Sequence, residues 1–173
     1  MDFVLFNLLH SLSGVSGFLD FLFVFFAKYL GYLLFLGALA IIFLSKEKKD
    51  SLLNLAILFL SLILSRGLIT EIIRFVYTRS RPFAALGFDP LFNHSAIEHS
   101  FPSGHAAFYF ALAFSMWFAA PRWRWYFLAG AILIGISRIV AGVHWPADIL
   151  AGVLIGLLSV IAVRLLLRKG GVH

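Results

Sequence analysis

The sequence predicts an all-α fold, a polytopic membrane helical bundle with five or six transmembrane helices. Three observations predict it. Of 173 residues, 62% are apolar and only 13% charged, against about 45 to 50% and about 25% in an ordinary soluble domain. The apolar runs are long and continuous, with Leu, Phe, Ile and Ala on every face, whereas a membrane barrel needs segments of about ten alternating residues. The length accommodates about five or six crossings of about 20 residues with their turns. Residues 1–173 are therefore expected to form a single integral membrane domain. Cysteine is absent, which excludes disulfides, thiolate metal sites and cysteine nucleophiles and leaves the compartment open.

Residues 1–28 contain two apolar stretches, 3–12 and 18–27, separated by the turn-like run Ser13-Gly14-Val15-Ser16-Gly17. They are expected to form one or two interfacial or re-entrant helices, a sixth span being the alternative. No basic residue precedes the first stretch, which argues against a cleavable signal peptide. A transmembrane core over 29–168 follows, with apolar segments at 29–44, 52–73, 106–120, 125–136 and 149–167. Trp117, Trp123, Trp125 and Trp145 flank the shorter ones, as suits residues at membrane interfaces.

The net charge of +6 could suggest nucleic acid in a soluble protein, but the positions of the charges point to topology and lipid phosphate. Lys46, Lys48 and Lys49 lie between the first two core spans, Arg122 and Arg124 between the third and fourth, and Arg164, Arg168 and Lys169 at the end. All fall on one face, cytoplasmic by the positive-inside rule, which sends residues 75–105 and 139–148 to the external face.

That external face collects three clusters: Arg74 with Arg79, Arg81 and Pro82; Pro102-Ser103-Gly104-His105; and Ser137-Arg138, His144 and Asp148. Each lies at a helix end, and cations with imidazoles gathered at one membrane level are costly enough to imply a functional site. Guanidinium groups match phosphate oxygens and stay charged at any working pH. The amides around Ser103, Gly104 and His105 would point out of a helix N-terminus, which favours an anion, and glycine lets an oxyanion approach closely. A neutral imidazole can attack phosphorus. His144 with Asp148 four residues on thus reads as nucleophile and orienter, and His105 as the acid for the leaving oxygen.

The bland readings concern the remaining polar groups. Arg79 reads as a snorkelling interfacial arginine, Asp148 as a helix cap that also orients His144, and Glu71 as an i,i+3 partner of Arg74, with Arg66 as further structural support. His94, Glu98 and His99 suggest a metal, but the set lacks a fourth ligand and a rigid helix and reads as a polar loop that can touch a headgroup. Asp20, Lys28 and His10 are expected at an interface, and His173 in a tail.

The three clusters resemble the signature of the type 2 phosphatidic acid phosphatase family: Arg74 followed by Arg81-Pro82, then Pro102 to His105, then Ser137-Arg138, His144 and Asp148. The order and internal spacings match, except that the family's lysine is Arg74 here, which keeps the charge but replaces a point donor by a fork. The resemblance implies metal-independent hydrolysis of a lipid phosphate, without a cofactor, through a phosphohistidine on His144. His105 would be the acid, and Arg74, Arg81, Ser103, Gly104 and Arg138 would hold the phosphate. The expected partners are the lipid phosphate and the surrounding membrane lipids, not nucleic acid. The short chain and the sequence His144-Trp145-Pro146 are similar to bacterial polyprenyl diphosphatases, as are Phe6 to His10 and Phe18 to Asp20. Some of those enzymes carry Asp where this chain has Gly104. Undecaprenyl diphosphate leads the expected substrates, with lipid A 1-phosphate, phosphatidylglycerol phosphate and phosphatidate as alternatives, at the external face of a bacterial inner membrane. A phosphate-binding transporter is the non-enzymatic alternative, and a vanadate-dependent haloperoxidase shares the anion pocket by family resemblance but is soluble.

Overall fold

The computed structural model describes residues 1–45, 48–95 and 99–169. Lys46, Glu98 and His173 lie outside the described residues, as do the side chains of Lys48, Lys49, Arg168 and Lys169. Among the described residues all regular structure is helical.

The N-terminal segment forms two helices, α1 (Asp2–His10) and α2 (Gly17–Lys28). The turn between them is chemically specified: Gly14 takes a positive φ of 76° and donates its N–H to the Asp20 carboxylate at 2.9 Å. The Ser16 hydroxyl caps α2 by accepting from Leu19. α2 runs into α3 (Leu30–Phe43) through Tyr29 alone, with a bend of 43°. The second stretch is thus joined directly to the first core helix, in a bent pair that has the form of a broken span or of a re-entrant loop.

A 27-residue apolar helix, Asp50–Val76, is built from α4 (Lys48–Leu62), a π-helical stretch Ile63–Ile69, and α5 (Thr70–Val76). Thr70 closes the widened turn by donating its hydroxyl to the Ser65 carbonyl at 2.8 Å. A short α6 (Pro82–Leu86) opens with proline at its first turn and stops at Gly87 in the left-handed region. Then come α7 (Gly104–Ala119), α8 (Arg124–Val140) and α9 (Pro146–Lys169).

Helices thus occupy all five expected core segments. Among the described residues two helices qualify as crossings by length and apolarity, Asp50–Val76 and Pro146–Leu167, with the bent α2–α3 pair as a third if it is one span. α7 and α8, at 16 and 17 residues, fall short of the about 20 that an upright crossing takes. Apolar side chains cover the outside: Phe75 is 90% exposed and Leu44 82%, a surface that makes sense against lipid and not against water.

The central pair is α7 against α9. Gly152 and Gly156 of α9 lie so close to α7 that a Cβ on Gly152 would stand 2.6 Å from the Ala106 Cβ, and one on Gly156 would stand 2.7 Å from the Ala111 amide nitrogen. Such small-residue contacts let helix backbones approach where no water drives association. Here they bring the N-terminus of α9 beside that of α7, and the Ser103 N–H donates to the Asp148 carbonyl at 3.0 Å. At the far end, Arg124 packs over Trp117 and Trp125 and Arg164 over Phe118. The basic residues of the α7–α8 turn and of α9 therefore share the end opposite Ser103.

Candidate active site

The two loops read from sequence as external come together at one end of the bundle and are knitted by backbone bonds. Phe83 N–H donates to the Gly142 carbonyl and Leu91 N–H to the Ala141 carbonyl. Gly142, at a φ of 79°, turns the α8–α9 connection back. A Cβ there would meet the Phe88 ring at 2.5 Å, so this turn has room for glycine alone.

His144 sits in that connection, 1% exposed. Its Nδ1 lies 3.5 Å from the Asp148 carboxylate and 3.5 Å from the Ser100 hydroxyl, while its Nε2 lies 3.3 Å from Arg81. Burial pushes the imidazole well below its ordinary pKa, and the charges of Arg138, Arg81 and Arg74 press in the same direction. The ring is therefore neutral near pH 7. With Nδ1 turned to the carboxylate, Nε2 carries the lone pair that faces the arginines. Those are the attributes of a nucleophile.

Asp148 is fully buried and its partners are countable. One oxygen accepts from Ser100 and from the Trp145 N–H at 2.8 Å, so it caps α9 while orienting His144. The other accepts from Arg79 at 2.8 Å. Arg79 is not the snorkelling residue expected of it. Its fork also grips Asp2 of α1, its plane lies 5.2 Å over the Trp145 ring, and Asp2 in turn accepts the Ala147 N–H at 2.8 Å. A burial this deep for Asp148 needs such pairing. Likewise His10 is not in a headgroup layer: it stacks on Phe6 and Phe88, with its Nδ1 2.8 Å from the Val140 carbonyl.

The expected phosphate ligands surround this group. Arg81 is buried and donates to the carbonyls of Val143 and His99 at 2.9 and 3.3 Å. Arg138, also buried, lies over the Phe92 ring with its fork 3.2 Å from His94 Nε2. Arg74 donates through two nitrogens to the Pro102 carbonyl at 3.3 and 3.1 Å, which ties it to the loop before α7, and the expected Glu71–Arg74 pair is present at 3.5 Å. Ser103 caps α7 through its hydroxyl, so Gly104 and His105 open the helix. His105 is exposed and lines a cavity of about 200 Å³ with Arg66, Gly104, Phe108 and Tyr109.

All eight expected site residues are thus at one end of the fold. Sequence reasoning missed Ser100 and Asp2, and it undervalued Arg79. Among the described residues no three histidine, aspartate or glutamate side chains form a metal-binding group. A neutral buried imidazole with an oriented Nδ1, facing several guanidiniums and a helix N-terminus, can take a phosphoryl group.

The comparisons with known proteins agree with this geometry. The chain is 34% identical over 87 residues to an undecaprenyl-diphosphatase of Sulfolobus acidocaldarius, covering 50% of this chain and 42% of that protein. It is 38% identical over 108 residues to a lipid A 1-phosphatase of Rhizobium johnstonii, covering 58% and 43%. The chain thus spans less than half the length of these relatives. The crystal structure of LpxE from Aquifex aeolicus superposes with a TM-score of 0.73 at 29% identity, covering 94% of this chain and 93% of that one. That of a transmembrane PAP2-type phosphatidylglycerolphosphate phosphatase from Bacillus subtilis superposes at 0.62 and 22% identity, covering 96% and 94%, and shares the fold. Residues 54–170, which contain all eight expected site residues, match the PAP2 superfamily, and the chain is a membrane protein belonging to that superfamily.

Proposed function

We propose that this protein is a membrane lipid phosphatase that removes the terminal phosphate of a lipid phosphate or diphosphate through a phosphohistidine on His144, without a metal ion. One observation carries the reading: the His144 imidazole is buried, with Nδ1 3.5 Å from the Asp148 carboxylate and Nε2 3.3 Å from Arg81. In the proposed reaction Arg74, Arg81, Arg138 and the amides after Ser103 hold the nonbridging oxygens. A bond forms between Nε2 and phosphorus as the bond from phosphorus to the leaving oxygen breaks. The electron pair stays on that oxygen, which takes a proton from His105. Water then attacks the phosphohistidine, gives its proton to His105 and releases inorganic phosphate.

The likeness to proteins named as an undecaprenyl-diphosphatase and a lipid A 1-phosphatase supports a lipid substrate. Undecaprenyl diphosphate is our leading substrate, followed by lipid A 1-phosphate, phosphatidylglycerol phosphate and phosphatidate. The gathering of Arg124 and Arg164 at the end remote from His144 supports a cytoplasmic end there and an active site on the external face of a bacterial inner membrane.

The test is phosphate release by the purified protein in detergent from these four lipids, with EDTA present. His144→Ala should lose on the order of 10⁴-fold or more in kcat. Undiminished activity in that variant, or release only when metal is restored, would refute the mechanism.

A further inference from the structure

We infer that Arg66 binds the phosphate that stays on the lipid, which makes this site selective for lipid diphosphates over lipid monophosphates; the inference rests on the function proposed above. Arg66 lies inside the long apolar helix Asp50–Val76, where a guanidinium is costly and calls for a use. It sits in the middle of the π-helical stretch Ile63–Ile69, a geometry that frequently accompanies functional sites. Glu71 pairs with Arg66 and also with Arg74. One carboxylate thus joins two guanidiniums, only one of which the phosphatase signature uses.

The position of Arg66 relative to the proposed chemistry is specific. Its side chain lies against the start of α7, where a Cβ on Gly104 would come 2.5 Å from Nε. The missing side chain at 104 is the space this arginine uses, and a larger residue there would displace it. On one side Arg66 shares the cavity of about 200 Å³ with His105. On the other side Arg66 and Phe108 also line an apolar cavity of about 260 Å³ with Phe35, Phe59 and Leu62 among its walls.

From His144 outward we read these environments as the proposed phosphate cradle, the proposed proton donor His105, the Arg66 guanidinium that lines a cavity with it, and the apolar groove that Arg66 also lines. A lipid diphosphate presents matching groups in that order: terminal phosphate, bridging oxygen, inner phosphate and tail. The inner phosphate becomes the leaving group when the terminal phosphorus passes to His144. Arg66 is then placed to neutralise the charge that the inner phosphate gains as the bridging bond breaks, with Glu71 giving way. A monophosphate offers an ester carbon at that point, against which the guanidinium gains nothing.

The test is kcat/KM of the full chain in detergent with farnesyl diphosphate and with farnesyl phosphate, for wild type, Arg66→Gln, Arg66→Lys and His144→Ala. The wild type should favour the diphosphate. Arg66→Gln should reduce the diphosphate-to-monophosphate ratio on the order of tenfold to a hundredfold, as expected for a lost charge-assisted hydrogen bond, and Arg66→Lys should recover part of it. A shared fall on both substrates, or a ratio that does not move, overturns the inference while the phosphatase reading stands. Should the glutamine variant fail to fold, Arg66→Met takes its place, and a wild-type ratio there overturns the inference as well. Hydrolysis of neither substrate by the wild type, or hydrolysis that survives His144→Ala, overturns the phosphatase reading and this inference together.

Discussion

The two histidines of the site differ in their access to solvent. His144 is 1% exposed and closed in by Asp148, Ser100 and Arg81, with Arg79 and Asp2 behind Asp148. His105 is exposed and borders a cavity. The difference separates two tasks. A group that must attack in one direction gains from being fixed before the substrate arrives, since no reorganisation is then needed at the moment of reaction. A group that serves a leaving lipid must stand where that lipid can come and go. In the proposed function the closed side sets the chemistry, and the open side receives the amphiphile.

The apolar surfaces repeat this asymmetry. A groove of about 410 Å³ between α1, α8 and α9 is lined by apolar side chains such as Leu5, Ile132 and Ile149 and touches none of the proposed phosphate ligands. The smaller groove beside Phe108 shares Arg66 with the His105 cavity. Continuity with the cavity of His105, the proposed proton donor, rather than size, favours the second as the path for a tail.

The largest effect that sharpens this contrast concerns the open side. His105→Gln should reduce turnover of a lipid phosphate on the order of 10² to 10³-fold. With p-nitrophenyl phosphate, whose leaving phenolate needs no proton, the loss should be much smaller. Equal losses with the two substrates would mean that His105 holds phosphate or structure instead of supplying a proton.

A smaller effect probes the closed side. Arg79→Gln and Asp2→Asn disturb groups that touch Asp148, and neither is expected to meet the phosphate. Each should lower kcat on the order of tenfold to a hundredfold through misplacement of His144, with KM changing little. A rise in KM at constant kcat would instead make Arg79 a substrate ligand.

The smallest effect is a shift in pH dependence. An ordinary imidazole titrates near about 6.5, and activity by a histidine nucleophile falls when protonation removes its lone pair. Burial, with Arg138, Arg81 and Arg74, holds the His144 pKa well below its usual value. The acid limb of kcat/KM should therefore lie below pH 6.5, with full activity persisting into mildly acidic solution. An acid limb at the ordinary value would place the nucleophile in water.

Much of this arrangement was legible in the sequence, for a physical reason. His144 and Asp148 are four residues apart around a helix start, and Ser103, Gly104 and His105 form one cap, so local spacing encodes their geometry. The apolar runs likewise announced helices, since continuous hydrophobicity leaves the backbone few other choices in lipid. Asp2 and Ser100 left no such signal. They reach their partners across 145 and 48 positions of chain, and a long-range hydrogen bond imposes no local pattern. The same holds for the π-helical turn at Arg66 and the docking of α1 through Phe6 and His10. Arg79 was visible as a charge at a helix end, but only its pairing with Asp148 and Asp2 distinguishes it from a residue reaching for headgroups.

The central claim is that His144 takes the phosphoryl group. The most direct measurement is a rapid quench of the purified protein with a lipid substrate radiolabelled in the terminal phosphate, followed by mapping of the labelled peptide. The account predicts a base-stable, acid-labile label on His144 that forms before steady-state phosphate release and is absent from His144→Ala. Wild-type turnover with no label at any time, or a label that persists in His144→Ala, would contradict it.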